Sequence, residues 1–222
     1  MIPMRLLFDL DGTLLDTAPD LHGALNFCLK SVGRSTVSLE SVKHMVGQGA
    51  RVLLEKGLTA TGGMTSDEEI DRLFDLFLEY YADHLSDNSV PYPGVISALE
   101  QLHAQGFQMG ICTNKPYKLA EQIAKDFDLN RLLPIITGGD SFEIRKPDPD
   151  HLLKTLDLFE DQSLPALMIG DSCNDINAAT AAGLKSIAVS FGYTDIPPRE
   201  LGANIVIDHF DELIGAIKQI SE

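Results

Sequence analysis

Hydrophobic and polar residues follow two different rhythms along this chain. Near the start, the apolar run Leu6-Leu7-Phe8 ends in Asp9-Leu10-Asp11-Gly12-Thr13. A short continuous apolar run bounded by a turn signal predicts a strand buried on both faces. Two-residue periodicity then turns Asp9 and Asp11 the same way, and Gly12 supplies the turn that lifts the chain off the sheet. From about residue 18 to residue 88 the spacing of apolar positions is helical throughout. Residues 20–32 present Leu21, Ala24, Leu25, Cys28 and Leu29 on one face and stop at Gly33. A second helix starts at Ser38 and leads into Gly47-Gln48-Gly49, and a third runs through Leu58. Thr65-Ser66-Asp67-Glu68-Glu69 then opens a fourth, acidic in its first turn, which carries Ile70, Leu73, Phe77 and Tyr81.

Beyond Pro91-Tyr92-Pro93-Gly94 the rhythm becomes an alternation of helix and strand. Strands are predicted over residues 107–112, 134–138, 166–170, 186–190 and 205–207. Helices are predicted over residues 95–105, 116–127, 148–158 and 174–182, and from 211 onward. Strands separated by helices of this length imply crossover connections and a parallel sheet covered on both faces. The expectation is an α/β protein with a Rossmann-like core formed by residues 1–17 and 89–222. Residues 18–88 are then an inserted helical cap domain.

With 44% hydrophobic and 23% charged residues, the composition is that of an ordinary globular protein. The net charge of -16 narrows the partners. It disfavours nucleic acid and anionic membranes, and it requires a local cation or a metal wherever an anionic substrate binds. Cys28, Cys112 and Cys173 are odd in number and form no paired motif, which argues against a disulfide framework and a structural zinc site. Cys112 reads as a small core residue, and Cys173 as the more exposed of the two. No charged leader precedes a long apolar segment, and no run approaches the ~20 apolar residues of a membrane span. A cytoplasmic protein is expected.

In an open parallel sheet, ligands bind outside the carboxyl ends of the strands. The residues at those ends are Asp9 and Asp11, then Thr113 and Asn114, then Asp171, Ser172 and Asp175, with Lys146 in the turn Arg145-Lys146-Pro147. Each has a plain reading as a turn, helix cap or solvated loop residue. Taken together they assemble several carboxylates, a hydroxyl and an ammonium at one point. Oxygen donors without His or Cys suit a hard cation such as Mg2+, and the set as a whole suits phosphoryl transfer.

The motifs Asp9-x-Asp11-Gly12-Thr13, Thr113, Lys146-Pro147 and Gly170-Asp171-Ser172-x-Asn174-Asp175 resemble, in order, the four motifs of the haloacid dehalogenase superfamily. That resemblance implies Asp9 as nucleophile, forming an aspartyl-phosphate, and Asp11 as general acid and base. Thr113 and Asn114 would bind substrate, with Thr113 on a phosphoryl oxygen, and Lys146 would offset charge on Asp9 and the phosphate. Mg2+ would be held by Asp9, Asp171 and the backbone carbonyl of Asp11. Asp175 would bind it directly or through water, or would orient Lys146. Dehalogenases of the superfamily lack an aspartate at the position of Asp11, so its presence favours phosphate esters.

The segment Val46-Gly47-Gln48-Gly49-Ala50-Arg51 is similar to the cap segment of bacterial phosphoglycolate phosphatases, as are Asp16-Thr17-Ala18-Pro19 and Thr113-Asn114-Lys115-Pro116. This implies a small phosphate ester, 2-phosphoglycolate, as substrate. Arg51 is either the partner of its carboxylate or a solvated helix-surface residue, and His44 reads as structural or exposed. Pyrophosphate, nucleoside monophosphates or an amino-sugar 6-phosphate remain alternative substrates. A sugar-phosphate mutase is an alternative activity, and a binding protein on a retired phosphatase fold would have lost a motif residue. The links near residues 16–19 and 92–94 are expected to hinge.

Overall fold

The computed structural model describes residues 2–221. The chain opens with β1 (Arg5–Phe8) and, after the Asp9–Leu14 loop, the short β2 (Leu15–Asp16). Four helices follow: α1 (Ala18–Ser31), α2 (Leu39–Lys43), α3 (Ala50–Ala60) and α4 (Asp67–Asp83). The chain returns through β3 (Val90–Pro91) and α5 (Val95–Ala104) to β4 (Gln108–Cys112), α6 (Tyr117–Asp126) and β5 (Ile135–Thr137). It finishes with α7 (Pro149–Leu156), β6 (Ala166–Gly170), α8 (Cys173–Ala181), β7 (Lys185–Val189), β8 (Ile205–Ile207) and α9 (Leu213–Ser221).

Six strands form one parallel sheet in the order β5-β4-β1-β6-β7-β8. β1 lies inside the sheet, and Leu6, Leu7 and Phe8 are fully buried. That burial explains the unbroken apolar run. Leu6 and Phe8 join one hydrophobic cluster, whereas Leu7 packs on the opposite face with Cys112, Leu152, Leu156 and Met168. Phe8 is in register with Ile111 and Ile169, so Asp9, Thr113 and Asp171 emerge at one edge of the sheet. Strand order reverses about β1, because the chain first builds outward through β4 and β5 and then returns to β6 on the other side. The crevice at such a reversal is where open α/β sheets place ligands.

The helical segment buries Ile70, Leu73, Phe77 and Tyr81 of α4, spaced three or four residues apart as the sequence requires. Each such side chain contributes about 1.5–3 kcal/mol when fully buried. Ser66 begins α4 by accepting a hydrogen bond from the Glu69 N–H, and three acidic residues in the first turn oppose the helix dipole. The second helix stops at Lys43, earlier than expected, because the chain turns through Gly47 and Gly49 at φ of 109° and 94°. Those two residues lead directly into α3.

Where the segment joins the sheet, β2 and β3 pair antiparallel, with Leu15 opposite Pro91 and Asp16 opposite Val90. Asp20 reinforces this joint. Its buried carboxylate accepts hydrogen bonds from the N–H groups of Asn88 and Ser89 and from the Ser89 hydroxyl. Among the described residues, no helix is long and apolar enough to cross a membrane. Cys28, Cys112 and Cys173 are free thiols.

Candidate active site

A cleft opens between the sheet edge and the helical segment. Asp9, Asp11, Thr113, Asn114 and Lys115 line it from the sheet side. Val46, Gly47, Gly49, Ala50, Leu53 and Tyr81 line it from the helices.

Behind Asp9 the charges are densely packed. Lys146 Nζ lies 3.0 Å from Asp9 Oδ1 and 2.6 Å from Asp175 Oδ1. The remaining oxygen of Asp175 accepts hydrogen bonds from the Ser172 N–H and hydroxyl, closing a capping box at the start of α8. Asp171 accepts from the Thr13 hydroxyl at 2.8 Å and from the Tyr193 N–H at 2.7 Å. Gly12 permits this approach. It sits at φ +84°, and a Cβ there would lie 2.5 Å from Asp171 Oδ2.

Asp11 faces a different set of partners. Its Oδ1 accepts from the Thr17 hydroxyl at 2.7 Å and from Lys115 Nζ at 3.1 Å. The same Lys115 ammonium reaches the Tyr81 hydroxyl of α4. Gly139 lets the 113–117 loop pack tightly against the turn after β5, since a Cβ on it would lie 2.5 Å from the Asn114 carbonyl oxygen. The Asn114 side-chain amide donates to the carbonyls of Lys146 and Gly47, and Asn174 donates to the same Gly47 carbonyl. Two asparagines at the sheet edge therefore hold the turn that carries Gly47 and Gly49.

Burial raises the Asp9 carboxyl to about 6; Lys146 opposes that rise, and Asp175 and Asp11 add to it. Burial, with Asp175 and Asp9 as like-charged neighbours, pushes Asp171 well above the carboxylate range. Burial alone would lower the Lys146 ammonium, but Asp175 and Asp9 outweigh it and hold it protonated. Three buried carboxylates thus have oxygen atoms within 4.8 Å of one another, and the one lysine among them contacts only Asp9 and Asp175. Carboxylates in that position carry more negative charge than their surroundings neutralise, and all their donors are hard oxygens. The cluster of Asp9, Asp171 and Asp175 fits a hard metal cation.

The structure thus brings Asp9, Asp11, Thr113, Asn114, Lys146, Asp171 and Asp175 to one end of the sheet. Two candidate residues are placed apart from the acidic cluster. The Asp11 carboxylate lies outside it, where it accepts from Thr17 and Lys115. Arg51 does not line the cleft. It lies near the surface in the first turn of α3, where Asp71 of α4 holds it at 2.7 Å and Glu55 at 3.3 Å. His44 is exposed beside Glu40 and Asp195.

Three further residues were not assigned to the site from the sequence. Lys115 carried a signal, since it lies two positions beyond Thr113 at a strand end. Tyr81 reads as a core residue of α4, and nothing local marks its hydroxyl. Tyr193 approaches Asp171 from a loop after β7, and its hydroxyl binds Asp16 and accepts from the Ala18 N–H.

A family model described as haloacid dehalogenase-like hydrolase matches residues 6–189. The chain is 40% identical over 211 residues to the phosphoglycolate phosphatase of Agrobacterium fabrum, covering 95% of this chain and 91% of that relative. It is 43% identical over 208 residues to the phosphoglycolate phosphatase of Mesorhizobium japonicum, covering 94% and 92%. Among solved structures, one described as a predicted phosphoglycolate phosphatase from Haemophilus somnus superposes with a TM-score of 0.88 at 31% identity. That match covers 97% of this chain and 98% of the other.

Proposed function

This chain belongs to the haloacid dehalogenase-like hydrolases, and we propose that it is a magnesium-dependent phosphatase that hydrolyses 2-phosphoglycolate to glycolate and inorganic phosphate. Its class is that of a phosphoric monoester hydrolase. The observation that carries the reading is the division of labour between Asp9 and Asp11. Both face the cleft, but Asp9 is backed by Lys146 and the acidic cluster, whereas Asp11 stands apart from that cluster.

An Asp9 oxygen attacks phosphorus, and the bond from phosphorus to the glycolate oxygen breaks as Asp11 supplies that oxygen with a proton. Water then attacks the aspartyl-phosphate, Asp11 takes up its proton, and the bond between phosphorus and Asp9 breaks to release phosphate. Thr113 holds a phosphoryl oxygen, and Lys146 offsets charge on Asp9 and the phosphate. Magnesium, held by Asp9, Asp171 and the Asp11 backbone carbonyl, would neutralise charge on the transferring group. Asp175, with both oxygens already engaged, orients Lys146.

Residues 18–88 act as a cap over the core of residues 1–17 and 89–222. Closure excludes water until substrate is bound. A reducing cytoplasm suits the three free thiols. The test is phosphate release from a panel of small phosphate esters with magnesium, alongside Asp9→Asn. Selective turnover of 2-phosphoglycolate that the variant lacks is the expected result. Isomerised sugar phosphate in place of free phosphate would point to a mutase.

A further inference from the structure

With Arg51 bound to Asp71 and Glu55 on the outside of the helical segment, the cleft needs another group to receive a carboxylate. We propose that Lys115, held across the cleft by Tyr81, is the subsite for the substrate's second anionic group, a carboxylate adjacent to the carbon that bears the phosphate. The inference rests on the phosphoglycolate reading above and names the residue that enforces it.

Four observations support it. Among the described residues, Lys115 is the one cation that lines the cleft. Its side chain is 2% exposed, so an ion pair made there is shielded from solvent and strengthened accordingly. An ammonium has three N–H donors, and this one meets Asp11 Oδ1 at 3.1 Å, the Tyr81 hydroxyl, and Asp11 Oδ2 only at 3.5 Å. The long Oδ2 contact is the weakest of the three, and a ligand carboxylate can take that donor. Lys146, by contrast, faces two carboxylates, Asp9 and Asp175, and does not line the cleft.

The remaining observation is position. Lys115 touches Asp11, the group assigned to protonate the leaving oxygen. In 2-phosphoglycolate the carboxylate is bonded to the carbon that carries this oxygen, so it lies within one side chain's reach of Asp11. Leu21, Val46, Ala50, Leu53 and Leu119 supply apolar parts of the same wall. An unpaired carboxylate among those side chains would be strongly disfavoured. Arg145 is the rival cation, because its guanidinium comes within 3.3 Å of where a Cβ on Gly49 would stand, but it is exposed and does not line the cleft.

The experiment measures kcat/KM for 2-phosphoglycolate and for ethyl phosphate, which replaces the carboxylate by a methyl group, in wild type, Lys115→Gln, Lys115→Arg and Arg145→Ala. Because both substrates use Asp11, the ratio of the two values cancels any effect transmitted through it. Glutamine can still donate to Asp11 and Tyr81 but lacks the charge. The expected result is a fall of tenfold or more in the ratio for Lys115→Gln, expressed mainly in KM, a magnitude typical of losing one charge-assisted hydrogen bond. Lys115→Arg and Arg145→Ala should keep the wild-type preference within about threefold.

A ratio unchanged in Lys115→Gln, or one that collapses in Arg145→Ala instead, would overturn the assignment while leaving the phosphoglycolate reading intact. A wild-type enzyme with no preference between the two esters would overturn that reading, and the subsite with it. Should the glutamine variant prove unfolded by thermal melting, Lys115→Arg decides. Retained preference for the carboxylate supports the subsite, and a preference lost in a folded arginine variant rejects it.

Discussion

The two halves of the cleft are built alike and charged differently. In the deep half, Asp9 is paired with Lys146, which is shared with Asp175 and built entirely from sheet-edge residues. In the outer half, Asp11 is paired with Lys115, which is shared with a neutral phenol from the helical segment. Each aspartate of the first loop therefore has its own buried lysine. The deep lysine faces two carboxylates and lies behind the cleft, whereas the outer one faces a single carboxylate and lines it. In the proposed mechanism the deep half carries the nucleophile and the outer half joins the acid–base group to the residue proposed to recognise the substrate, so their residues should respond differently to substitution.

The strongest test of that contrast is Asp9→Asn, which should abolish phosphate release, whereas Asp11→Asn should lower kcat by about 10²–10⁴, the usual range for general acid–base catalysis. Rapid-quench detection of a phosphorylated enzyme would check this. Equal residual activity in the two variants would erase the distinction between the halves.

Removing the deep lysine should come next in effect. Lys146→Met leaves Asp9 and Asp175 buried without their cation, and breaking such a pair costs about 3–5 kcal/mol. Urea unfolding should register that loss. A variant as stable as wild type would show that the carboxylates take up protons at little cost.

The deep half also rests on a neutral support that the outer half lacks. The His151 imidazole accepts a hydrogen bond from the Lys146 N–H, and burial, with Lys146 nearby, lowers it to about 4. Its unfolded value is near 6.5, so between pH 6.5 and 4 the unfolded chain binds the extra proton. Stability from this residue is therefore complete above pH 6.5 and is lost as pH falls toward 4, by about 3 kcal/mol in total. Denaturation of wild type beside His151→Gln should show that difference at low pH and none above neutrality.

The smallest effect is expected at Arg51. Arg51→Ala breaks exposed ion pairs and should change kcat/KM on 2-phosphoglycolate by less than about threefold. A large rise in KM would return Arg51 to the substrate and weaken the case for Lys115.

The sequence made most of the deep half legible because its residues sit at the ends of strands whose apolar runs are unambiguous. Once Leu6-Leu7-Phe8 is a central strand, Asp9 must emerge at the sheet edge, and the register of β4 and β6 brings Thr113 and Asp171 beside it. The outer half was harder because its partners come from separate elements. Arg51 fitted a pattern but not a position, since Asp71 on a neighbouring helix captures its guanidinium. Tyr81 and Tyr193 are set by tertiary packing that no local periodicity encodes. β2 and β3 were missed for a simpler reason, since two-residue strands carry no measurable alternation.

That small ribbon has a consequence beyond this reaction. Because Leu15 stands opposite Pro91, the outgoing and returning chains are adjacent strands, about 5 Å apart, before and after the whole helical segment. Along the chain the segment is thus carried on one fixture, which Asp20 reinforces. A helical segment from another protein, if it ended in a matching two-stranded ribbon and restored the shared apolar contacts, could be spliced between the same two residues without altering the register of the sheet. The chain path would thereby permit exchange of the segment at this one covalent joint while Asp9 and its neighbours stay in place.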